Sequence, residues 1–147
     1  MSRAKERPSD LDLAVNELLS SEGSIVVAFG GKIVLRGDGP GIKPVLEAQQ
    51  VLGEGLIGAA VADTVLGKAA ALFLEDAGVT SVFGEVLSEH AREYLESAGV
   101  YVEGETVVDF IANRSGDDLC PLEKIAVETG DPDMARKAIC EFISKAQ

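Results

Sequence analysis

The sequence predicts an α/β fold in which a mixed sheet lies between helices. Three observations carry that prediction. β-rich runs alternate with segments of helical period along the chain. Two of the runs are separated by Gly30-Gly31, the two-residue connection of a tight hairpin. The run from Leu56 to Ala62 is apolar without alternation, as in a strand covered on both faces, and belongs in the middle of the sheet.

The elements follow in order. The first ten residues are polar and expected to be frayed, with Arg3, Lys5 and Arg7 as a small basic tip, and residues 11–147 form a single domain. Ser9 or Asp10 caps a helix that carries Leu11, Ala14, Val15, Leu18 and Leu19 on one face as far as Ser20. The hairpin strands Ser24–Phe29 and Lys32–Arg36 come next. Residues 37–41 form a glycine-rich loop that lacks the Gly-Lys-Ser/Thr ending of a phosphate-binding loop and reads as a connector. Lys43-Pro44 then opens a helix that ends at Gly53.

After the central strand, a helix is expected from Asp63 onward, apolar over most of its circumference and stopped by Gly78. Gly67 inside it implies the close approach of a neighbouring strand. Val79–Leu87 reads as a strand, and Ser88 as the cap of a helix over Glu89–Ala98 that Gly99 ends. Val100–Glu103 is expected as a short strand and Thr106–Ala112 as a short helical turn. Pro121 fits the first position of a helix, which makes Cys120 its cap residue and Glu123 its third residue. A last helix spans Pro132–Lys145.

Composition narrows the function. The chain has 147 residues, 25 of them acidic against 13 basic, for a net charge of −12. Such a field repels phosphate backbones and anionic membranes, so neither nucleic acid nor membrane is an expected partner. No apolar run reaches the roughly 20 residues of a membrane span, and the charged N-terminus is followed by no apolar signal core, so a cytoplasmic location is expected. The oligomeric state is open, and a homo-oligomer is compatible with the sequence. The single histidine, His90, lies between Glu89 and Glu93 in the first turn of a surface helix and reads as solvated. Cys120 and Cys140 stand in unlike contexts that resemble neither a disulfide framework nor a metal clip. Cys120 faces the positive end of a helix dipole and is a candidate nucleophile. Cys140, among Ala135, Ala138, Ile139, Phe142 and Ile143, reads as a small core residue.

Three blocks, Val61-Ala-Asp-Thr-Val-Leu-Gly-Lys-Ala-Ala-Ala71, Val86-Leu-Ser-Glu89 and Asn113-Arg-Ser-Gly-Asp-Asp-Leu-Cys-Pro-Leu-Glu123, resemble in this order the signature blocks of the family called domain of unknown function 1893. The resemblance implies a cytidine-deaminase-like, three-layer α/β/α sandwich and no particular activity. Zinc deaminases carry a His- or Cys-x-Glu motif at one strand-to-helix corner and a Pro-Cys-x-x-Cys motif at the start of the next helix. In this chain Val61 stands at the metal-ligand position of the first motif and Asp63 at that of its proton-shuttling acid. Cys120 and Glu123 stand for the cysteine pair. A complete zinc site is therefore not expected, and any other cofactor is unknown.

By the same resemblance Asp63, Cys120 and Glu123 gather around one concavity, with Lys68, Ser88, Asn113 and Arg114 as ligand-binding neighbours. Three functions fit that set. A binding or regulatory module would hold a small anionic or nucleotide-like ligand between paired helix N-termini, Lys68 and Arg114. An enzyme would use Cys120 as nucleophile, Asp63 or Glu123 for proton transfer, and Asn113 or Arg114 to hold the substrate, although carboxylates beside a thiol oppose its ionisation. In a purely structural site, Asp63 and Cys120 are caps, Glu123 completes a capping box, Arg114 answers Asp117 or Asp118, and Lys68 lies along Glu75.

Overall fold

The structure, a computed structural model, describes residues 6–113, 115, 116 and 118–146. Its strands are β1 (Ile25–Phe29), β2 (Lys32–Gly37), β3 (Ala60–Leu66), β4 (Ser81–Ser88) and β5 (Tyr101–Val108). They form one 5-stranded sheet in the order β2-β1-β3-β4-β5. β1 pairs antiparallel with β2 and with β3, whereas β3, β4 and β5 run parallel, so the sheet is mixed and β3 is its centre.

Alternation along the strands decides which helix covers which face. Val26, Ala28, Ala60, Ala62 and Phe83 point to one side, where Leu11, Ala14, Val15 and Leu18 of α1 (Ser9–Ser20) bury them. Ile25, Val27, Val61 and Val82 point to the other. There they meet α2 (Lys43–Leu52), α3 (Lys68–Asp76), α4 (Glu89–Ser97), α5 (Pro121–Glu128) and α6 (Pro132–Ala146). The result is a three-layer α/β/α sandwich, as the sequence predicts.

The hairpin turns through Gly30 and Gly31, at φ 61° and 81°, angles that side-chain-bearing residues avoid. Asp10 fastens this turn: its carboxylate accepts the Gly30 and Gly31 amides at 2.9 and 2.8 Å. Neither Ser9 nor Asp10 caps α1, because both lie inside the helix and Pro8 precedes it. Of the segment expected to fray, residues 1–5 lie outside the described residues. Arg7 is tied to the sheet, with Nε donating to Glu103 Oε1 at 3.1 Å and its guanidinium 5.9 Å from the Phe83 ring centroid.

The centre of the chain departs from the sequence reading. β3 starts only at Ala60, after a 3₁₀ turn over Gly53–Leu56, and continues to Leu66. Asp63 therefore lies inside the strand, and α3 begins at Lys68 with Gly67 as its N-cap residue. Apart from Asp63, Thr64 and Lys68 the run is apolar from Ala59 to Leu74, so periodicity does not mark where strand gives way to helix. Parallel pairing of Val65 with Val86 and of Leu66 with Leu87 settles it as extended.

Pairing lapses at one level in all three parallel strands. Asp63, Gly84 and Gly104 are partners, as are Val65, Val86 and Thr106, but Thr64, Glu85 and Glu105 between them are not. Beyond this level Leu66 and Leu87 join the same core as Val61 and Val82, although strict alternation would send them to the opposite face. Glycine permits the bend: a Cβ on Gly104 would stand 2.8 Å from Leu87 Cβ, and one on Gly84 3.0 Å from Leu66 Cβ.

Two further expectations are corrected. Thr106–Val108 extend β5 instead of forming a helical turn, because they pair with Val86, Leu87 and Ser88. Cys140 is exposed, not a core residue. α6 lays Ala135 and Ile139 on the body and Cys140 falls beyond that buried stripe. Arg136 fixes this docking, its Nη1 donating to the Leu72 carbonyl in the middle of α3 at 3.3 Å.

Candidate functional site

The carboxyl end of β3 and the first turns of α3 and α5 border a cavity of about 640 Å³. One wall is Val65, Gly67, Ala69 and Ala70; a second is Cys120 to Glu123 at the start of α5. Pro40, Gly41 and Ile42 from the loop before α2, and Ile111, Ala112 and Asn113 from the connection after β5, close the other sides. The walls are mainly apolar, with Asn113, Cys120 and Glu123 as polar exceptions.

Glu123 organises this space. It is 2% exposed, yet both carboxylate oxygens are satisfied. Oε1 accepts the Lys68 amide at 2.7 Å and the Ser88 hydroxyl at 3.4 Å, and Oε2 accepts the Ile111 amide at 2.7 Å. An acid in the first turn of α5 thus meets the first amide of α3, where a negative charge is favoured by the helix dipole. Glu123 does not complete a capping box on its own helix. Gly67 makes the approach possible, since a Cβ there would lie 2.9 Å from Ile111 Cγ1 and 3.1 Å from Glu123 Oε1. The close neighbour implied by that glycine is this cluster and not a strand.

Cys120 is the N-cap residue of α5 with Pro121 at the first helical position, as the sequence predicts, and its side chain makes no capping bond. Its amide donates to the Ile111 carbonyl at 2.8 Å, and Ala112 bridges to Leu119, which draws the β5–α5 connection into a narrow antiparallel return. The Asn113 side chain helps to shape that return by accepting the Gly116 amide at 2.8 Å. Ser88 caps α4 through the Ala91 amide at 3.1 Å while its hydroxyl reaches Glu123 from behind.

Asp63 and Lys68 do not line the cavity. Asp63 is 3% exposed, and burial pushes its carboxyl up to about 7 against the lowering effect of the Thr64 and Val65 amides. It stands inside β3, next to the level at which the ladder lapses, and not at a helix cap. The Lys68 ammonium lies 5.8 Å from the Tyr94 ring centroid, while Glu75 accepts the Tyr94 hydroxyl at 2.5 Å. Burial and the Glu75 carboxylate together push the Tyr94 hydroxyl up to about 12. Arg114 and Asp117 lie outside the described residues, and with them the expected roles of Arg114.

The structure therefore brings together Cys120, Glu123 and Asn113, with Ser88 behind them. Sequence reasoning missed Pro40 to Ile42, Ile111 and Ala112 as walls. For the first of these the glycine-proline loop was a usable signal; for Ile111 and Ala112 there was none, because their place depends on the return of the connection. Among the described residues no group of three or more His, Cys, Asp or Glu could hold a metal ion. Val61, at the position where zinc deaminases carry a metal ligand, offers no ligand atom. Among the described residues no helix is long and apolar enough to cross a membrane.

The fold is a three-layer α/β sandwich, and the cavity lies at the carboxyl edge of its parallel strands, the edge at which open α/β sheets commonly bind ligands. The chain belongs to the family described as domain of unknown function DUF1893, which matches residues 14–143. A crystal structure of a DUF1893 family protein, TM1506 from Thermotoga maritima, is similar with a TM-score of 0.83 and 23% identity over 96% of this chain and 95% of that chain. The likeness shows a shared fold. RibD (form 2) from Acinetobacter baumannii aligns at a TM-score of 0.49 and 19% identity, over 79% of this chain and 32% of that chain, too slight a likeness to build on. No curated protein matches.

Proposed function

We propose that the chain is a small-molecule-binding module whose ligand enters the cavity between α3 and α5. The observation that carries this reading is the cavity itself: about 640 Å³ of mainly apolar space with Asn113, Cys120 and Glu123 converging on it. Ligand sites commonly have that size and that pattern of a few polar groups on an apolar wall. The flat, apolar faces and polar edges of a nucleobase-like heterocycle suit such walls. The anionic side of the expected ligand class has less support, because among the described residues no lysine or arginine lines the cavity.

A thermal-shift screen of nucleobases, nucleosides and other neutral heterocycles tests the reading. A ligand at 100 times its Kd stabilises the folded state by about 2.7 kcal/mol, a shift of several degrees. Ala70→Phe, which puts a ring into the cavity, is expected to abolish that shift. No responding compound, or a response that survives in Ala70→Phe, would remove the proposal.

A second reading, an enzyme with Cys120 as nucleophile, is favoured by the position of Cys120 in the cavity wall at the start of α5. Against it, Asp63 stands away from the cavity, and Glu123 is held by Lys68, Ile111 and Ser88. Iodoacetamide separates the two readings. The enzyme requires Cys120 to be alkylated faster than the exposed Cys140, whereas the binding module predicts labelling of Cys120 at or below the rate of Cys140.

A further inference from the structure

Among the described residues Glu123 is the sole charged side chain lining the cavity. The amide it takes on α3 is the donor that a phosphate or carboxylate of a ligand would otherwise seek. Its second oxygen holds Ile111, itself part of the wall. We propose that Glu123 is a built-in anion that makes the cavity select against negatively charged ligands and in favour of ligands with an N–H donor. This selectivity rests on the cavity being the ligand site.

Two physical facts give the selectivity its direction. The Lys68 and Ile111 amides are already bonded to the Glu123 carboxylate, so an anion that approaches them meets like charge at a buried position. A carboxylate offers about four acceptor sites, and three donors are on this one, which leaves about one for a ligand N–H. The favoured class is therefore a neutral or cationic amide, amine or amino-substituted heterocycle.

The test uses acetate as a substitute for the missing carboxylate. Thermal unfolding of the wild-type chain, Glu123→Ala and Glu123→Gln is followed in acetate and in chloride at matched ionic strength. Acetate is expected to raise the unfolding temperature of Glu123→Ala by several degrees. The wild type and Glu123→Gln, in which a side chain still fills the space, are expected not to respond. An equal acetate response in all three proteins would overturn the proposal. Should Glu123→Ala not fold in chloride, the yield of folded protein on refolding replaces the unfolding temperature. Recovery in acetate alone then supports the proposal, and failure in both salts overturns it.

Benzamide and benzoate, flat probes of similar size, test the selectivity directly. The wild type is expected to be stabilised by benzamide and not by benzoate, and the difference to shrink in Glu123→Gln. Stabilisation of the wild type by benzoate at least equal to that by benzamide contradicts the proposal. If acetate rescues Glu123→Ala while no compound stabilises the wild type, the ligand-binding function fails and the assignment of Glu123 as a built-in anion stands.

Discussion

Asp63 and Glu123 are both buried acids, and their surroundings give them different work. Glu123 receives donors from three separate segments and bounds the cavity. Asp63 lies away from the cavity and is pushed up to about 7 by burial. Its carboxyl therefore holds a proton in the folded chain across a range where the unfolded chain, with an ordinary value of 3.8, has lost it. The folded state binds more protons there, so the contribution of Asp63 to stability is full below about pH 4 and is lost as pH rises through about 7. The change is at most roughly 4 kcal/mol, since each pKa unit is worth about 1.4 kcal/mol. Urea unfolding of the wild type and Asp63→Asn across this range reads the effect as a difference. Other carboxylates, such as Glu103 held low by Arg7, cancel in that difference. The stability of the wild type relative to Asp63→Asn is expected to fall with rising pH; a flat difference would contradict the burial argument. The sequence marks Asp63, because a carboxylate in an apolar run is conspicuous, and places Glu123 in the first turn of the helix that Pro121 opens. It does not show which donors each finds, since Lys68, Ser88 and Ile111 come from distant segments.

At the scale of elements, local chemistry made some boundaries legible and tertiary pairing decided others. The hairpin turn, the Ser88 cap and the Cys120-Pro121 helix start depend on a few adjacent residues, and each stands where the sequence places it. The end of β3 and the extent of β5 do not. Val65, Leu66 and Thr106 to Val108 are extended because of their strand partners, and the β-branched run Thr106-Val107-Val108 was the local sign of it. The exposed Cys140 is a similar case, for an apolar residue beside a helical stripe falls inside or outside according to how the helix docks. The shared bend of β3, β4 and β5 gives an element-scale prediction. Gly104→Ala places a methyl 2.8 Å from Leu87 Cβ and is expected to destabilise the chain by about 1–3 kcal/mol through overpacking. Denaturant titration measures it. Gly99→Ala is the control for the opposite cause, because that position has no neighbour within 4 Å and its φ of +82° makes any cost conformational. A neutral Gly104→Ala would mean that Leu87 yields and the bend does not need a glycine.

For the whole molecule, the sheet and its helices set up one site-bearing edge. The parallel strands all deliver their carboxyl ends there, and the bend turns Leu66 and Leu87 into the helix layer just before the chain enters α3 and α4. α3 and α5 then meet head to head across Glu123, with the cavity beside the contact. A mixed sheet between helices was legible from the order of elements, and the three-layer sandwich from the family resemblance. The cavity was legible only in outline, since its walls come from loops whose course is fixed by long-range hydrogen bonds. Amide NMR of the 15N-labelled chain, titrated with the strongest compound of the thermal-shift screen, tests ligand binding in this cavity most directly. The predicted result is a cluster of saturable shifts at Gly67 to Ala70, Ile111 to Asn113 and Cys120 to Glu123. Shifts confined to other surfaces, or none at concentrations that stabilise the fold, would contradict it.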